Sequence, residues 1–387
     1  MLNQGDACPL GDGVIYVARA GQSLTERLRA AIQAKPDHFH PQHDTAGDAA
    51  AEPELYLNAT RDTRYAHERH PVFDHVVTLF TQQWVGIRAS AGSLPGAKLA
   101  IGKAAQMGPS QVRELLQILE DLKVHTVLVH GLSDGVIRAV HAIRIARPEL
   151  RICAIWHGAL AAWSLDEERG MAQRLFELAT EGVFDSISVM KRGAHVLHPK
   201  AVPYLVPNFP PTVSLRRLRP AGSSEKRTAL FGSWNNTWKN MYANVAGAAL
   251  SRSIDEVISY SDVDGHLVDS SKIRRAHYRN RSHHFALLAN VDLVLNATVV
   301  DCHPMVEMEA LAVGTPVLRG PLDLDFGQET AFEKLLTVQS PHNIAEIVET
   351  IDRISSVPAD EMADIIADYK QLVMTTAIGR YADFLKS

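Results

Sequence analysis

From Asp74 onward, short runs of apolar residues alternate with segments whose apolar positions recur with a helical period. Such runs predict buried strands, and strands separated by helices indicate a mainly parallel sheet. In the first half the predicted strands are GVIYVA (Gly13–Ala18), HVVTLF, VHTVLVHG, RICAIWHG, FDSISVM (Phe184–Met190) and PYLVPNF (Pro203–Phe209). The predicted helices are Leu24–Ala34 behind a capping box at Ser23–Glu26, VRELLQILEDL, VIRAVHAIRIA and Met171–Glu181.

The second half repeats this alternation. The predicted strands are TALFG, DEVISYS, VDLVLNAT and TPVLRG, and the predicted helices are Met241–Ser251, Ile273–Ala289, Met305–Val313 and a long stretch beyond Pro358 that Gly379 is expected to break or kink. Two segments lack a period: Lys35–Ala51, expected to be a loop, and Pro210–Lys226, rich in Pro, Ser and Arg, expected to be a linker.

The predicted fold class is therefore α/β, with two Rossmann-like domains. A chain of 387 residues is long enough for two domains. We expect an N-terminal domain over residues 1–209, a linker over 210–226 and a C-terminal domain over 227–369, with a helix at about 370–387 returning to the first domain.

Composition narrows the function classes. The formal net charge of −5 gives no general reason to expect a nucleic-acid partner. The first residues lack a signal-peptide pattern and no long apolar run occurs, so we expect a cytoplasmic protein without a transmembrane segment. The three cysteines, Cys8, Cys153 and Cys302, are too widely spaced for a disulfide framework or a zinc site, and two of them are expected in the core.

The stretch Val291–Gly320 carries the most chemical information. A buried strand ends in small polar residues, a loop follows, and Pro304 is expected to be the first helical residue. The free N–H groups of Met305, Val306 and their neighbours would then form an anion site that suits a diphosphate. Asp301 and Glu309 would hydrogen-bond hydroxyls on either side of it. The alternative is an ordinary strand, loop and helix in which Asp301 is an acid at the helix N-terminus and Glu309 is solvated.

This stretch resembles the Glu-x7-Glu motif of the family 4 retaining glycosyltransferases of GT-B fold. The match is Asp301-x7-Glu309 followed by Ala310-Leu-Ala-Val-Gly-Thr-Pro316, with Asp in place of the usual first Glu. The resemblance implies two domains facing each other across a cleft. It also implies that Glu309 binds the ribose and that Asp301 faces the transferred sugar. The phosphates would bind the backbone N–H groups of the segment from His303 through Pro304 and Met305 to Val306.

The same resemblance assigns a role to TALFGSWNNTWKN. The family carries Gly-Arg-x4-Lys after the first strand of its second domain, and this chain has Gly232 and Lys239 there. Ser233 replaces the arginine, so Lys239 is the candidate cation for the donor phosphates. In the first domain Gly21 is the only candidate for the family's N-terminal glycine loop.

Several further residues have a functional and a structural interpretation. His157 ends an apolar strand, at the sheet edge where ligands bind, and the resemblance implies a contact with the sugar or the acceptor. His130 and Ser133-Asp134-Gly135 either line an acceptor site or form a cap and turn, and the turn is favoured. Asn208 is expected to be a hinge residue. His283-His284 and a basic cluster are expected to be a solvated helix face; the cluster is Lys272, Arg274, Arg275, Arg279 and Arg281.

The sequence thus predicts a metal-independent glycosyltransferase that uses no cofactor and moves a sugar from a UDP- or GDP-linked donor to a hydroxyl, with retention. The acceptor would be a glycan, a lipid-linked molecule or another hydroxyl compound, with peripheral membrane contact left open. The alternatives are a non-catalytic nucleotide-sugar-binding protein and a GT-B-type epimerase or inverting transferase.

Overall fold

The computed structural model describes residues 70–217 and 226–386 except 236, 267, 269 and 279, and the backbone of three earlier strands. The predicted helix Leu24–Ala34, the predicted loop Lys35–Ala51, Gly21, Arg279 and residues 218–225 of the predicted linker lie outside this part. The chain forms two compact units, residues 1–212 with 377–387 and residues 213–376.

The first unit is built on a mixed sheet in the order β1-β2-β3-β5-β4-β6-β7-β8. Strands β5, β4, β6, β7 and β8 are parallel, and β1 to β3 extend the sheet in antiparallel pairs. The strands are β1 Ala7–Leu10, β2 Gly13–Val17, β3 Leu55–Ala59, β4 Val76–Thr81, β5 Ala97–Ile101, β6 Thr126–His130, β7 Arg151–Trp156 and β8 Ser186–Val189.

Four helices cover the parallel strands: α1 Val85–Ser93, α2 Pro109–Asp121, α3 Asp134–Ala146 and α4 Asp166–Thr180. Each of α2, α3 and α4 buries one apolar stripe, which packs against the Val, Ile and Leu side chains of the strands. Short 3-10 helices occupy Pro71–Phe73, Leu160–Ser164 and Ala194–Leu197. The expectation of a mainly parallel α/β arrangement is confirmed.

The predicted strand Pro203–Phe209 is wrong. Residues 202–213 form no strand, and only an isolated bridge joins Ala201 to Ile187. Pro203, Pro207 and Pro210 lack the N–H that a strand pairing requires, so the ladder cannot continue through them. Strand β1, by contrast, is not among the strands that the sequence predicts.

The second unit contains a five-stranded, wholly parallel sheet in the order β11-β10-β9-β12-β13. The strands are β9 Thr228–Phe231, β10 Glu256–Ser259, β11 Ile273–Arg275, β12 Leu293–Asn296 and β13 Val317–Arg319. Because β9 is flanked by β10 on one side and β12 on the other, the strand order reverses there. In open parallel sheets ligands bind at the carboxyl ends of strands at this reversal.

The helices of the second part of the chain are α5 Met241–Leu250, α6 Arg281–Asn290, α7 Met305–Val313, α8 Ala331–Leu336, α9 Ile344–Ser356 and α10 Ala359–Lys386, with 3-10 helices at Thr237–Lys239 and Ser270–Lys272. Two predictions are corrected here. The predicted helix Ile273–Ala289 begins only at Arg281, because residues 273–275 form the edge strand β11. Of the break or kink expected at Gly379, the break is wrong, because α10 runs continuously through this residue.

A buried polar cluster lies between α7 and the last strand of the second sheet. Arg319 on β13 is 2% exposed and pairs with the fully buried Glu307 at 2.6 Å. The guanidinium also pairs with Glu333 and donates to Tyr369 Oη at 2.9 Å and to Thr337 Oγ1 at 3.2 Å. These partners come from α7, α8, α10 and the segment after α8, so one side chain ties four parts of the unit together.

Residues 377–387 belong to the first unit. Tyr381 is fully buried, with its ring 5.2 Å from that of Phe73 and 5.5 Å from that of Phe209. Arg380 donates to the Leu205 carbonyl at 2.7 Å, and Cys153 Sγ lies 3.6 Å from the Phe384 carbonyl. Cys153 and Cys302 are both buried, which confirms the expectation that two of the cysteines lie in the core.

Candidate functional site

The loop between β12 and α7 is the centre of the candidate site in the second unit. Pro304 has φ −68° and ψ 134°, so it is the N-cap and not the first helical residue that the sequence predicted. Its carbonyl accepts from the N–H groups of Glu307 and Met308. The N–H groups of Met305 and Val306 donate to no acceptor among the described residues, so the helix start offers free donors to an anion.

The structure brings Asp301 and Lys239 together. Lys239 Nζ donates to Asp301 Oδ2 at 2.6 Å, and Asp301 Oδ1 accepts from the Cys302 N–H at 2.9 Å. Burial alone would lower the pKa of Lys239, but the charge of Asp301 and the hydrogen bond to it raise that pKa above its usual range. The ammonium is therefore cationic at neutral pH and is already neutralised by a carboxylate.

Glu309 is held by two side chains of α6. Its carboxylate lies 3.2 Å from Arg281 Nη2 and 3.1 Å from His284 Nε2, and Tyr260 Oη lies 2.8 Å from His284 Nδ1. Glu309 is 7% exposed. Burial would raise its pKa, but the Arg281 charge and the His284 hydrogen bond outweigh burial and lower the pKa. Glu309 is therefore an ionised carboxylate over a wide pH range.

Gly232 lies at the carboxyl end of β9, beside the start of α7. A Cβ atom at this position would lie 3.4 Å from His284 Cε1 and 3.7 Å from Val306 Cγ2. A Cβ atom at this position would therefore be in ordinary van der Waals contact with side chains of α6 and α7. Ser233, which stands at the family's arginine position, is buried, and the following Trp234 is 60% exposed.

The His303 side chain is buried. It is 1% exposed and its ring packs edge-on against Phe326 at 6.0 Å. The sequence assigned phosphate binding to the backbone of His303 and not to this side chain.

The expectation that His283-His284 and the basic cluster form a solvated helix face is wrong for His284 and Arg281, whereas Arg274 and Arg275 are exposed but lie on strand β11 and not on a helix. His284 is buried and Arg281 largely so, and both contact Glu309. Lys272 Nζ donates to the carbonyls of Ser251 and Ile254, which lie between α5 and β10. Arg274 pairs with Glu256, and Arg275 pairs with Asp262. The acid at position 309 was predicted, and its two basic partners were missed.

The first unit contains a second group of candidate residues, around His157. This residue directly follows β7, and its Nε2 lies 2.9 Å from Nδ1 of His130 at the end of β6. Burial lowers the pKa of His157 to about 4. Burial and the neighbouring His157 lower the pKa of the fully buried His130 well below its usual value. Both rings are therefore neutral at pH 7.

This contact adds to the favoured interpretation of the stretch as a cap and turn, which is supported by the position of Ser133. Ser133 does occupy the N-cap of α3, but its side chain caps no N–H of that helix and instead accepts from Thr81 Oγ1 at 3.0 Å. Asn208, expected to be a hinge residue, is 3% exposed and accepts a 2.6 Å hydrogen bond from Ser90 Oγ.

Neither a membrane-spanning helix nor a cluster of metal-ligating side chains occurs among the residues that the structure describes. No helix in that part of the chain has both the length and the apolar content to cross a membrane. Over the same residues, no group of three or more His, Cys, Asp or Glu side chains has an arrangement that could hold a metal ion.

No protein-family model matches the sequence, and comparison with curated proteins gives no match. Solved structures do match. A glycosyltransferase from Rickettsia africae ESF-5 has a TM-score of 0.51 at 12% identity, covering 81% of this chain and 99% of that one. A UDP-forming α,α-trehalose-phosphate synthase from Burkholderia xenovorans, solved with glucose-6-phosphate, has a TM-score of 0.52 at 12% identity, covering 80% and 98%.

A sucrose-phosphate synthase from Thermosynechococcus elongatus has a TM-score of 0.52 at 11% identity, with 79% of this chain and 97% of that chain covered. In each case the match spans most of this chain and nearly all of the other. These likenesses establish the fold: the chain has the two-unit α/β architecture of the GT-B glycosyltransferases.

Proposed function

We propose that the chain is a glycosyltransferase that moves a sugar from a nucleoside diphosphate sugar, UDP- or GDP-linked, to a hydroxyl with retention of configuration. The GT-B fold supports the class of enzyme. The observation that carries the donor assignment is the start of α7, where the free N–H groups of Met305 and Val306 lie between Asp301 and Glu309 in the sequence.

In the proposed complex the diphosphate binds the free N–H groups of α7, close to Gly232, whose lack of a side chain leaves room for it. The ionised Glu309 accepts hydrogen bonds from the ribose hydroxyls, and Arg281 and His284 hold it in place. Asp301 faces the transferred sugar. Lys239 releases part of its contact with Asp301 to neutralise the phosphate charge.

The reaction breaks the bond between the anomeric carbon and the diphosphate oxygen and forms one from that carbon to the acceptor oxygen. The departing diphosphate receives the acceptor proton, and the helix dipole of α7 with Lys239 stabilises its charge. His157, neutral at pH 7, contacts the sugar or the acceptor as a hydrogen-bonding group and takes no proton.

Two substitutions test the division of roles. We expect Glu309→Ala to abolish binding of UDP and GDP in calorimetry, and Asp301→Ala to retain nucleotide binding while turnover of the donor sugar falls at least about a hundredfold. Glu329→Ala, at an exposed acid of the same unit, is the control that should change neither. Equal loss of binding and turnover in both variants would contradict the assignment.

One observation favours a second candidate, a nucleotide-sugar-binding protein without turnover: the carboxylate and the cation assigned to sugar and phosphate neutralise each other at 2.6 Å. A screen of UDP- and GDP-sugars, with the products analysed by NMR, separates the candidates. A glycosidic product with the anomeric configuration of the donor supports the proposal. Binding without any product supports the second candidate, and an inverted product or an epimerised donor supports the other enzyme classes.

The proposal includes a metal-independent reaction without a cofactor, a glycan, lipid-linked or other hydroxyl acceptor, and a cytoplasmic location with no nucleic-acid partner. The net charge of −5 supports the last point. Metal independence predicts the same turnover in EDTA as in Mg²⁺. A restoration of activity by Mg²⁺ after chelation would contradict it.

A further inference from the structure

Four buried or half-buried polar side chains of the first unit form one hydrogen-bonded chain. Ser90 on α1 contacts Asn208 at 2.6 Å and His130 at 3.3 Å, and His130 contacts His157 at 2.9 Å. Ser90, His130 and Asn208 are each at most 3% exposed. A chain of this kind has a direction, because each hydrogen can be donated to one neighbour, and the direction decides where the His157 ring carries its proton.

Ser90 fixes the direction of donation at one end of the hydrogen-bonded chain. Its only hydroxyl hydrogen is donated to Asn208 Oδ1, so Ser90 Oγ has only lone pairs left for His130 Nδ1. A bare Nδ1 would place two lone pairs opposite each other at 3.3 Å. A proton on His130 Nδ1 replaces this repulsion by a donor that lies close to both Ser90 Oγ and His157 Nε2.

The other nitrogen of His130 leads independently to the same tautomer. His130 Nε2 is buried and has no hydrogen-bond partner among the described residues. A buried N–H without an acceptor is rarer and more costly than a buried acceptor without a donor. Because the ring is neutral, its single proton therefore belongs on Nδ1.

With His130 Nδ1 as the donor, His157 Nε2 is the acceptor of the 2.9 Å hydrogen bond. A neutral imidazole carries its proton on the nitrogen that does not accept, so the proton of His157 is on Nδ1. No described residue takes a hydrogen bond from this Nδ1, and the side chain is half-buried. The N–H is thus available to an oxygen atom of a bound molecule.

We propose that His130 is a positioning residue which, with Ser90 and Asn208, fixes His157 as the neutral Nδ1–H tautomer and so makes it a hydrogen-bond donor. The group it fits is a sugar hydroxyl or another uncharged or anionic oxygen, and it does not fit a role as proton acceptor through Nδ1. The expected use of this donor rests on the proposed function, whereas the tautomer itself does not.

The tautomer can be measured without any substrate. In protein labelled with 15N-histidine, long-range 1H–15N spectra distinguish protonated from bare ring nitrogens, and comparison with His157→Gln assigns His157 among the 18 histidines. We expect a protonated Nδ1 and a bare Nε2 on His157, unchanged from pH 8 to pH 5.5. A protonated Nε2, or an averaged signal of both forms, would overturn the proposal.

Variants test the role of His130. His130→Phe keeps an aromatic ring but removes the donor, so His157 should shift towards the Nε2–H tautomer that free histidine favours in water. His130→Gln restores an N–H donor and should restore the Nδ1–H form even if His130→Phe does not fold. Ser90→Ala should weaken the preference, whereas Ser93→Ala, at a buried serine of the same helix that donates to Ala89, is the control that should leave it intact.

The outcome is separable from that of the proposed function. A His157 Nδ1–H ring that responds to His130→Phe but not to Ser93→Ala supports the inference even if no sugar is transferred. If transfer is found, His130→Phe should lower kcat/KM about two- to tenfold, the effect of one neutral hydrogen bond, and His130→Gln should recover most of it. An unchanged tautomer in His130→Phe would overturn the inference even in an active enzyme.

Discussion

The pKa values of two acids of α7 that are two positions apart shift in opposite directions. Burial raises the pKa of Glu307 despite its ion pair with Arg319, whereas Arg281 and His284 outweigh burial at Glu309 and lower its pKa. The difference follows from the partners that each side of the helix meets. Glu307 faces the interior of the unit, and Glu309 faces the polar residues of α6. The first acid is structural, and the second is the proposed ribose ligand.

The lowered pKa of Glu309 makes a prediction about pH. A carboxylate with a lowered pKa stays ionised until the pH falls through that lowered value, so nucleotide binding in the native protein should persist at mildly acidic pH. Arg281→Met removes the main lowering influence, and binding should then be lost at a higher pH as the pH falls. Calorimetry with UDP and GDP between pH 5 and 8 measures this. Arg275→Met, at an exposed arginine, is the control; identical pH profiles for the two variants would argue against the role of Arg281.

The Arg319 cluster predicts a strong effect on stability. Arg319→Met leaves the fully buried Glu307 without its counter-charge, and loss of one partner of a buried pair costs about 3–5 kcal/mol. The double variant Arg319→Met with Glu307→Leu removes both charges and should recover most of that loss. Urea unfolding of the single and double variants gives the coupling energy. Additive losses in the double variant would show that the pair is not coupled.

At the scale of elements, those bounded by strong local signals could be predicted from the sequence. Helix α7 runs from Met305 to Val313 as expected, because Pro304 precedes it and Gly314, at φ 86°, ends it in the left-handed conformation. Strand β5 was not predicted, since it is short and contains Lys98, a charged residue that is nonetheless fully buried. Helix α1 escaped prediction because its VGIRASAGS sequence is rich in Gly and Ser, which are poor helix formers.

The same distinction holds for the candidate site. Asp301 and Glu309 could be recognised from their spacing within one loop and helix. The partners of Glu309 could not, because Arg281 and His284 lie on α6, and their contact depends on how α6 packs against α7. The hydrogen-bonded chain in the first unit joins four separate segments, through Ser90, His130, Asn208 and His157. No local sequence pattern could therefore predict it.

Helix packing in the second unit depends on Gly247. A Cβ atom there would overlap Ile347 Cγ2, so α5 and α9 approach each other only because this position lacks a side chain. We expect Gly247→Ala to destabilise the protein by about 1–3 kcal/mol despite its better helix propensity. Gly170→Ala, in α4 with no atom within 4 Å of the added Cβ, should be stabilising by about 0.5–1 kcal/mol. Thermal unfolding compares the two, and a stabilising Gly247→Ala would refute the packing argument.

At the scale of the whole molecule, the first unit is not contiguous in sequence. It comprises residues 1–212 and residues 377–387, with the entire second unit between them. Tyr381 fills a site between Phe73 and Phe209, and the backbone of Phe384 lies against Cys153. The late segment therefore completes the core of the early one.

Removal of residues 377–387 should loosen the first unit selectively. We expect Cys153 to become reactive towards a thiol reagent while Cys302, in the second unit, stays protected, as measured by pulse labelling and peptide mass spectrometry. Tyr381→Ala should have the same effect in weaker form, because truncation of a buried aromatic ring costs about 3–5 kcal/mol. Asp383→Ala, at an exposed position of the same helix, is the control. Unchanged protection of Cys153 after the deletion would contradict this view of the core.

The interrupted first unit also has a consequence for biosynthesis. Domains usually fold in the order in which they leave the ribosome. Here the residues that cover Phe73 and Phe209 are translated after the whole second unit, so the portion of the protein made first is the portion finished last. During that interval an apolar surface remains open on the nascent chain, where a chaperone can bind.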